Sequence, residues 1–306
     1  MSDHALLTYG GIATFLLGAV GAAYGQDARG QMPGTVDAYA TGAAGGATFA
    51  TTQDLGSDAS YSGLSLEGGA SAEYNATATL GFQGDVRFRY YVHGAPAGDF
   101  TYGSTDKHFD AAAHGFYRNR EELLGGFVQV SGDNVDYTFS DGTDQPVTAT
   151  TTYAGLEGQK FFHNVTLYGQ LAAMRVTQTY GPPYGGFVGA AELRYFVEPN
   201  LRVDMHGQYV RMSDNAGDVE SIAIVGIGGE YRLDQSRVSF TGSLDYAATK
   251  SESSSGATYT EDHLRALIGL KVDLGSGTLA DQDRSGASLK PIQPPFEGGA
   301  GYWTTN

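Results

Sequence analysis

The 306-residue chain has no cysteine, one tryptophan, nine prolines and only 18 basic residues against 34 acidic ones. Without thiols there is no disulfide framework and no thiolate metal site, which suits a route through the periplasm, where stray thiols pair unproductively. The shortage of lysine and arginine leaves a formal charge of −16. No basic stripe is visible, which argues against nucleic acid, since phosphate binding needs one. Beyond residue 24 no segment approaches 18 apolar residues, so any later membrane contact falls to strands rather than helices.

What is abundant points the same way. There are 45 glycines, 20 tyrosines and 15 phenylalanines in a chain that is only 17% charged. Such composition suits sheets that show one face to something apolar. The N-terminus reads as a signal peptide over 1–25. Ala5 to Tyr24 carries no charge, and Ala23-Tyr24-Gly25 places small residues where a signal peptidase cuts. Met1-Ser2-Asp3-His4 lacks the usual basic residue, and a retained membrane helix is the competing reading. Residues 26–35 would then form a short periplasmic segment.

From residue 36 the chain breaks into twelve period-two segments: 36–50, 64–74, 77–92, 108–117, 123–138, 148–159, 164–176, 186–197, 200–212, 220–233, 236–249 and 261–274. Short connections at 75–76, 118–122, 160–163, 199–200 and 234–235 alternate with longer polar ones at 51–63, 93–107, 139–147, 213–219 and 250–260, with 177–185 of middling length. Alternate side chains point to opposite faces of a strand, and here one face is apolar while the other carries charge. Val238, Phe240, Leu244 and Tyr246 oppose Ser239, Thr241 and Asp245. Leu264, Ile268, Leu270 and Val272 oppose Arg265, Lys271 and Asp273.

A soluble barrel or sandwich shares that alternation. Three features favour a membrane. The strands run ten residues or more. Charge collects on one face, which only a wet interior tolerates. Aromatics gather near strand ends, Tyr90, Phe187, Tyr209 and Tyr246 toward the loops and Tyr74, Tyr195 and Tyr231 toward the turns, as in interfacial girdles. An open edge in lipid strands unpaired backbone groups, so the sheet must close. The expected fold is all-β: a closed antiparallel transmembrane barrel of about twelve strands over 36–274, with short periplasmic turns, longer extracellular loops and a periplasmic tail over 275–306 outside it.

Two stretches carry a resemblance to a known group. Ala111-Ala112-Ala113-His114-Gly115-Phe116-Tyr117-Arg118 runs into Leu123-Leu124-Gly125-Gly126-Phe127-Val128, and Leu274-Gly275-Ser276-Gly277-Thr278-Leu279 continues through Asp281-Gln282-Asp283-Arg284-Ser285-Gly286-Ala287-Ser288-Leu289. With these the chain resembles porin-like outer-membrane proteins of alphaproteobacteria. The resemblance implies a β-barrel in the bacterial outer membrane without an assigned substrate. Such barrels end on an aromatic residue read by the barrel-assembly machinery. Gly269-Leu270-Lys271-Val272-Asp273-Leu274 resembles that signal but is internal.

The candidate pore-lining residues are Asp85, Arg87, Arg89, Glu192, Arg194, Arg202, Asp204, His206, Glu230, Arg232, Asp245 and Arg265, all on the charged face. Lining a channel, they would select small hydrophilic solutes by size and charge. Paired across strands they would instead fill a closed, structural barrel. An outer-membrane lipid-modifying enzyme is the third class, but no histidine has a serine in a nucleophile–base spacing, and His206 with Asp204 reads as an ion pair. No catalytic residue, metal or cofactor is expected; Asp133 and Asp141-Gly142-Thr143-Asp144 lack the full spacing of a calcium loop. Arg175, Arg211 and Lys250 break the apolar face at the loop end of their strands, where they could meet outer-membrane lipids and lipopolysaccharide.

Overall fold

The computed structural model describes residues 36–54, 57–93, 103–138, 144–179, 181–275 and 277–293. The expected signal peptide, the segment 26–35 and residues 294–306 lie outside the described residues. Among those described are twelve strands: β1 (Val36–Asp54), β2 (Ser57–Asn75), β3 (Leu80–His93), β4 (Gly103–Arg118), β5 (Glu122–Thr138), β6 (Asp144–Phe161), β7 (Val165–Gln178), β8 (Tyr184–Glu198), β9 (Leu201–Ser213), β10 (Val219–Arg232), β11 (Val238–Glu252) and β12 (Thr258–Asp273). One short helix, α1 (Leu279–Ser285), follows.

Every strand pairs antiparallel with its neighbours in sequence, and β1 pairs with β12 as well as with β2, so the sheet returns on itself. Tyr39 faces Asp273 at one end of the β1–β12 ladder and Gln53 faces Thr260 at the other. Ladder pairing runs round the ring, with irregularities in β1 between Ala43 and Ala47 and in β8 between Phe196 and Glu198. Pairing of backbone groups within a closed sheet is the condition for crossing a hydrocarbon layer.

The expected difference between short turns and long loops is narrowed, though the connection from β3 to β4 remains the longest. β1 and β2 run to Asp54 and Ser57, so the polar stretch 51–63 is paired strand rather than loop. The connections 214–218 and 253–257 are no longer than 233–237 at the opposite end. The reason is that a hairpin does not stop where its apolar face stops. Thr, Ser and Asp residues continue the ladder beyond the apolar band, and sequence polarity alone reads as loop.

Alternation sets the two faces as expected. Among the described side chains, which begin at Ser65, the apolar set points outward: Leu124, Leu156, Leu171, Met205, Ile227, Leu244 and Ile268 are among the exposed large hydrophobics. Tyr90, Phe187, Tyr209 and Tyr246 ring this band toward one end, and Tyr74, Tyr195 and Tyr231 toward the other, all exposed. Tyr117 and Phe162 join the second ring. Some strands approach so closely that no side chain fits. A Cβ on Gly155 would lie 2.6 Å from the Ala172 Cβ, and one on Gly186 would lie 2.7 Å from the Met212 Cα.

The interior holds the rest. At the turn end and middle it is charged, but between β5 and β11 toward the loop end it is apolar. Phe127, Tyr153, Met174, Val176, Tyr184, Val188, Val210, Met212, Ile222 and Ile224 pack there into one cluster. Removing each such side chain from water contributes about 1.5–3 kcal/mol. The sequence reading of a uniformly polar lumen face is therefore corrected. β7 is apolar on both faces through its middle: Ala172 and Met174 point in, Leu171 and Ala173 point out.

The C-terminal segment also departs from expectation. It does not stand outside the barrel on the turn side. Thr278 and Asp281 form a capping box, with Asp281 N–H to Thr278 Oγ1 at 3.1 Å and Thr278 N–H to Asp281 Oδ2 at 2.9 Å, which starts α1. The helix lies across the turn-end mouth: Ala280 N–H donates to Pro199 O (3.1 Å), and Arg284 donates to Phe162 O and His163 O (2.6 Å each). Residues 286–293 then enter the lumen, with Leu289 and Ile292 fully buried.

Candidate functional site: the barrel lumen

The lumen is built by inward residues from all sides of the barrel, and its charges are matched strand to strand. On β3 and its neighbours, Arg87 pairs with Asp110 (2.7 Å), Arg89 with Glu67 (2.6 Å), and Asp85 with His114 (3.0 Å), while Ser71 also donates to Asp85. Arg265 bridges Glu67 (2.9 Å) and Asp245 (3.2 Å). His206 Nε2 lies 2.9 Å from Asp245, closer than its Nδ1 to Asp204 at 3.9 Å, so its main partner is across the sheet rather than on its own strand. Arg202 reaches Asp204 (3.2 Å) and Glu230 (3.3 Å); Glu230 also meets Lys271 (3.1 Å).

Arg194 sits deepest. It forks between Glu192 (3.0 Å) and Asp283 of α1 (2.6 Å), with its guanidinium 5.1 Å over the Tyr168 ring. Arg232 holds the start of the C-terminal segment through Gly277 O (2.8 Å) and Gln282 (3.0 Å), and pairs with Asp273. All twelve candidate pore-lining residues thus face inward, each within an ion-pair network. Four of them, Arg87, Glu192, Arg194 and Arg232, hold the C-terminal segment directly.

Further lumen residues stand outside the set of twelve, and parity alone places Glu73 and Glu157 among them on the inward face. Glu73 and Arg118 form a buried bidentate pair (2.7 and 3.0 Å), with Arg118 also donating to Gly286 O. Glu157 collects His114 (2.7 Å) and the Tyr168 hydroxyl (2.8 Å). Most telling are the inward glutamines Gln83, Gln129, Gln159, Gln170 and Gln208, which bond the main chain of residues 288–293. Their only sequence signal was position: each falls on the inward parity of its strand, where a neutral amide has nothing to pair with except another polar group.

The acidic residues weighed for calcium divide. Asp133 lies within β5 and pairs with His108, so it is not a loop ligand; Asp144 begins β6. No group of three or more metal-ligating side chains occurs among the described residues. Arg175, Arg211 and Lys250 are exposed on the outer face, as their parity required, and Lys250 pairs with Glu252.

A closed ring of outward-apolar antiparallel strands around a charged interior is the fold of the β-barrels of the bacterial outer membrane. One solved structure agrees at the level of fold, and two more align with lower scores. The translocator domain of the autotransporter NalP from Neisseria meningitidis aligns with TM-score 0.51 and 12% identity over 88% of this chain and 97% of that one. The transport unit of the autotransporter AIDA-I from Escherichia coli aligns at 0.49 and 12%, over 86% and 97%. The β-domain of the Bordetella autotransporter BrkA aligns at 0.49 and 12%, over 78% and 98%. At these identities the likeness is one of fold. No family model matches the sequence. No curated protein matches it either.

Proposed function

We propose that the protein is a twelve-stranded, closed barrel of the outer membrane that acts as a small channel for hydrophilic solutes and rests in a shut state, with residues 277–293 as its plug. The observation that carries this reading is how the plug is held. Along the turn-end half of the lumen it is fixed by ion pairs and by hydrogen bonds from Arg87, Gln83 and Gln129 to main-chain carbonyls, contacts that water can replace. Once the segment moves, the twelve charged residues would line a hydrated path and set its selectivity. The porin-like resemblance of alphaproteobacterial type, carried by the two stretches quoted above, supports the same reading, and the second stretch is largely the plug itself. Lipopolysaccharide at the outer rim and the barrel-assembly machinery are its proposed partners, the latter through the alternating residues Leu270, Val272 and Leu274.

The test uses the absence of cysteine. Thr166 Oγ1 lies 2.5 Å from Asp283 Oδ2, so a Thr166→Cys/Asp283→Cys chain can lock α1 to β7. In planar bilayers the parent protein should show rare, voltage-promoted steps, the oxidised variant none, and the reduced variant steps again. Steady conductance in the oxidised variant would remove the segment from the path. A second reading, a closed structural barrel, is favoured by the apolar cluster toward the loop end; silence of the parent and the reduced variant at every voltage would establish it in place of the channel.

A further inference from the structure

The inserted segment is held in an unusual way. The backbone groups of the strands are used in the barrel ladder, so a main chain passing through the lumen must find its partners among side chains. It finds them at consecutive residues. Gln83 donates Nε2 to Leu289 O (2.8 Å) and accepts Leu289 N–H at Oε1 (3.2 Å). Gln129 does the same for Ile292, donating at 3.1 Å and accepting at 2.7 Å. Gln208 repeats it for Gln293, at 2.6 and 3.2 Å. Between them, the Tyr168 hydroxyl, whose hydrogen goes to Glu157, accepts Lys290 N–H (3.3 Å), and Gln170 donates to Lys290 O at 2.8 Å. Pro291 has no N–H to satisfy.

A glutamine amide carries one donor face and one acceptor face in a plane, like a peptide group. Three glutamines and a tyrosine here take the place of a neighbouring strand. Such contacts read no side chain. Side-chain recognition is added by two apolar seats three residues apart, Leu289 among Phe116, Leu123, Phe161 and Tyr168 and Ile292 within the larger cluster, and by two polar contacts, Lys290 Nζ with Glu192 (2.7 Å) and Ser288 Oγ with Gln159 (3.2 Å). A three-residue spacing is the repeat of a polyproline II chain, which Pro291 favours by fixing its own φ near about −65°. The path also has a direction. Gly286 meets Arg118 at the turn end of β4, Leu289 meets Gln83 near the turn end of β3, and Ile292 meets Arg87 further along the same strand.

We propose that the lumen is a binding site for an extended polypeptide, read through its main chain with apolar residues at positions three apart, and that the protein's own C-terminal segment occupies it in cis. A segment of another polypeptide with that spacing would take the same seat. The inference rests on the lodged segment and not on conduction. Peptide exchange in a silent barrel would leave it intact, and conduction without exchange would leave the channel reading intact.

The experiment starts from the full chain, folded in detergent, with a site-specific protease sequence inserted after Gly275. Cleavage frees the segment from β12 without removing it during folding. Fluorescent peptides spanning 286–293 are then titrated by anisotropy. A peptide that keeps Ser288, Leu289, Lys290 and Ile292 but has its other side chains changed should bind within about tenfold of the native one. N-methylation of the Leu289 and Ile292 amides, which deletes two donors and crowds two glutamines, should weaken binding by at least about tenfold. Equal binding of the N-methylated peptide, loss of binding on changing the other side chains, or a cleaved segment that never exchanges would each overturn the proposal. In the uncut protein, Gln83→Met with Gln129→Met should speed hydrogen exchange at Leu289 and Ile292; unchanged protection would overturn it as well.

Discussion

Arg194 concentrates the logic of the interior in one side chain. Its guanidinium is fully buried, and burying such a charge is unfavourable unless hydrogen-bonded partners match it. Glu192 supplies one carboxylate from the same strand face and Asp283 the other from α1, while Tyr168 offers its ring. Removing the arginine leaves two buried carboxylates, with Lys290 as the remaining cation near Glu192 (2.7 Å). Arg194→Met should therefore destabilise the folded protein by roughly 3–5 kcal/mol. Urea unfolding in lipid vesicles reads this as a lower midpoint, and Arg194→Lys, which cannot fork between both acids, should fall between. An unchanged midpoint for Arg194→Met would mean that α1 is not held to the barrel through this pair.

At the level of elements, much of the barrel was legible because the period of two is a local signal. Outward Leu171, Tyr209 and Ile268 and inward Asp85, Arg202 and Asp245 were assigned from parity alone, and their exposure agrees. Three things were not legible. Hairpin length was hidden because Thr and Ser serve equally in a solvated strand and in a loop, as in 51–63. The inward apolar patch was hidden because Met174, Val176 and Leu171 look alike whichever face they take. The plug was hidden because many of its contacts are main-chain ones, which leave little mark on residue identity, and because its side-chain partners, such as Arg194 for Asp283 and Glu192 for Lys290, are far away in sequence. Closure depends on a pairing between residues far apart in sequence, β1 with β12, which no local pattern reports. It has a direct test. Ala40 and Val272 are register partners, and in a chain without cysteine an Ala40→Cys/Val272→Cys protein should form one intramolecular disulfide under mild oxidation. Unfolded, that product closes a large covalent loop and should migrate faster on a denaturing gel than its reduced form. Shifting one cysteine to Leu264, which faces Phe49 instead, should abolish the shift. Equal cross-linking at both positions would speak against a fixed β1–β12 register.

At the scale of the whole molecule, the outer surface is divided into an apolar band, two aromatic rings and a polar rim, and three cations interrupt the band next to the rim. Register brings two of them into one row: Ser221 of β10 faces Arg211 on β9 and Lys250 on β11. Two strand spacings put these positions about 10 Å apart. Arg175 faces Gly185 on β8, whose other partner, Ser213, is two residues beyond Arg211. At the hydrocarbon centre each charge would cost roughly 2–4 kcal/mol, but close to the interface only about 0–1, and Phe187, Tyr209 and Tyr246 mark that interface. The outer leaflet presents lipid phosphates there, which an arginine grips through paired hydrogen bonds and a lysine as a point charge. Lys250 already shares its charge with Glu252, so the two arginines should dominate. Changing Arg175, Arg211 and Lys250 together to Gln should lower the lipopolysaccharide retained through mild detergent extraction, by about fivefold in binding for each effective cation lost. Lys250→Gln alone should do least. Mass spectrometry of the extracted protein measures the bound lipid, and heat-resistant migration on a gel confirms that the barrel is still folded. Equal retention by folded mutant and parent would show that the three side chains only extend into water, as long cationic side chains near an interface commonly do.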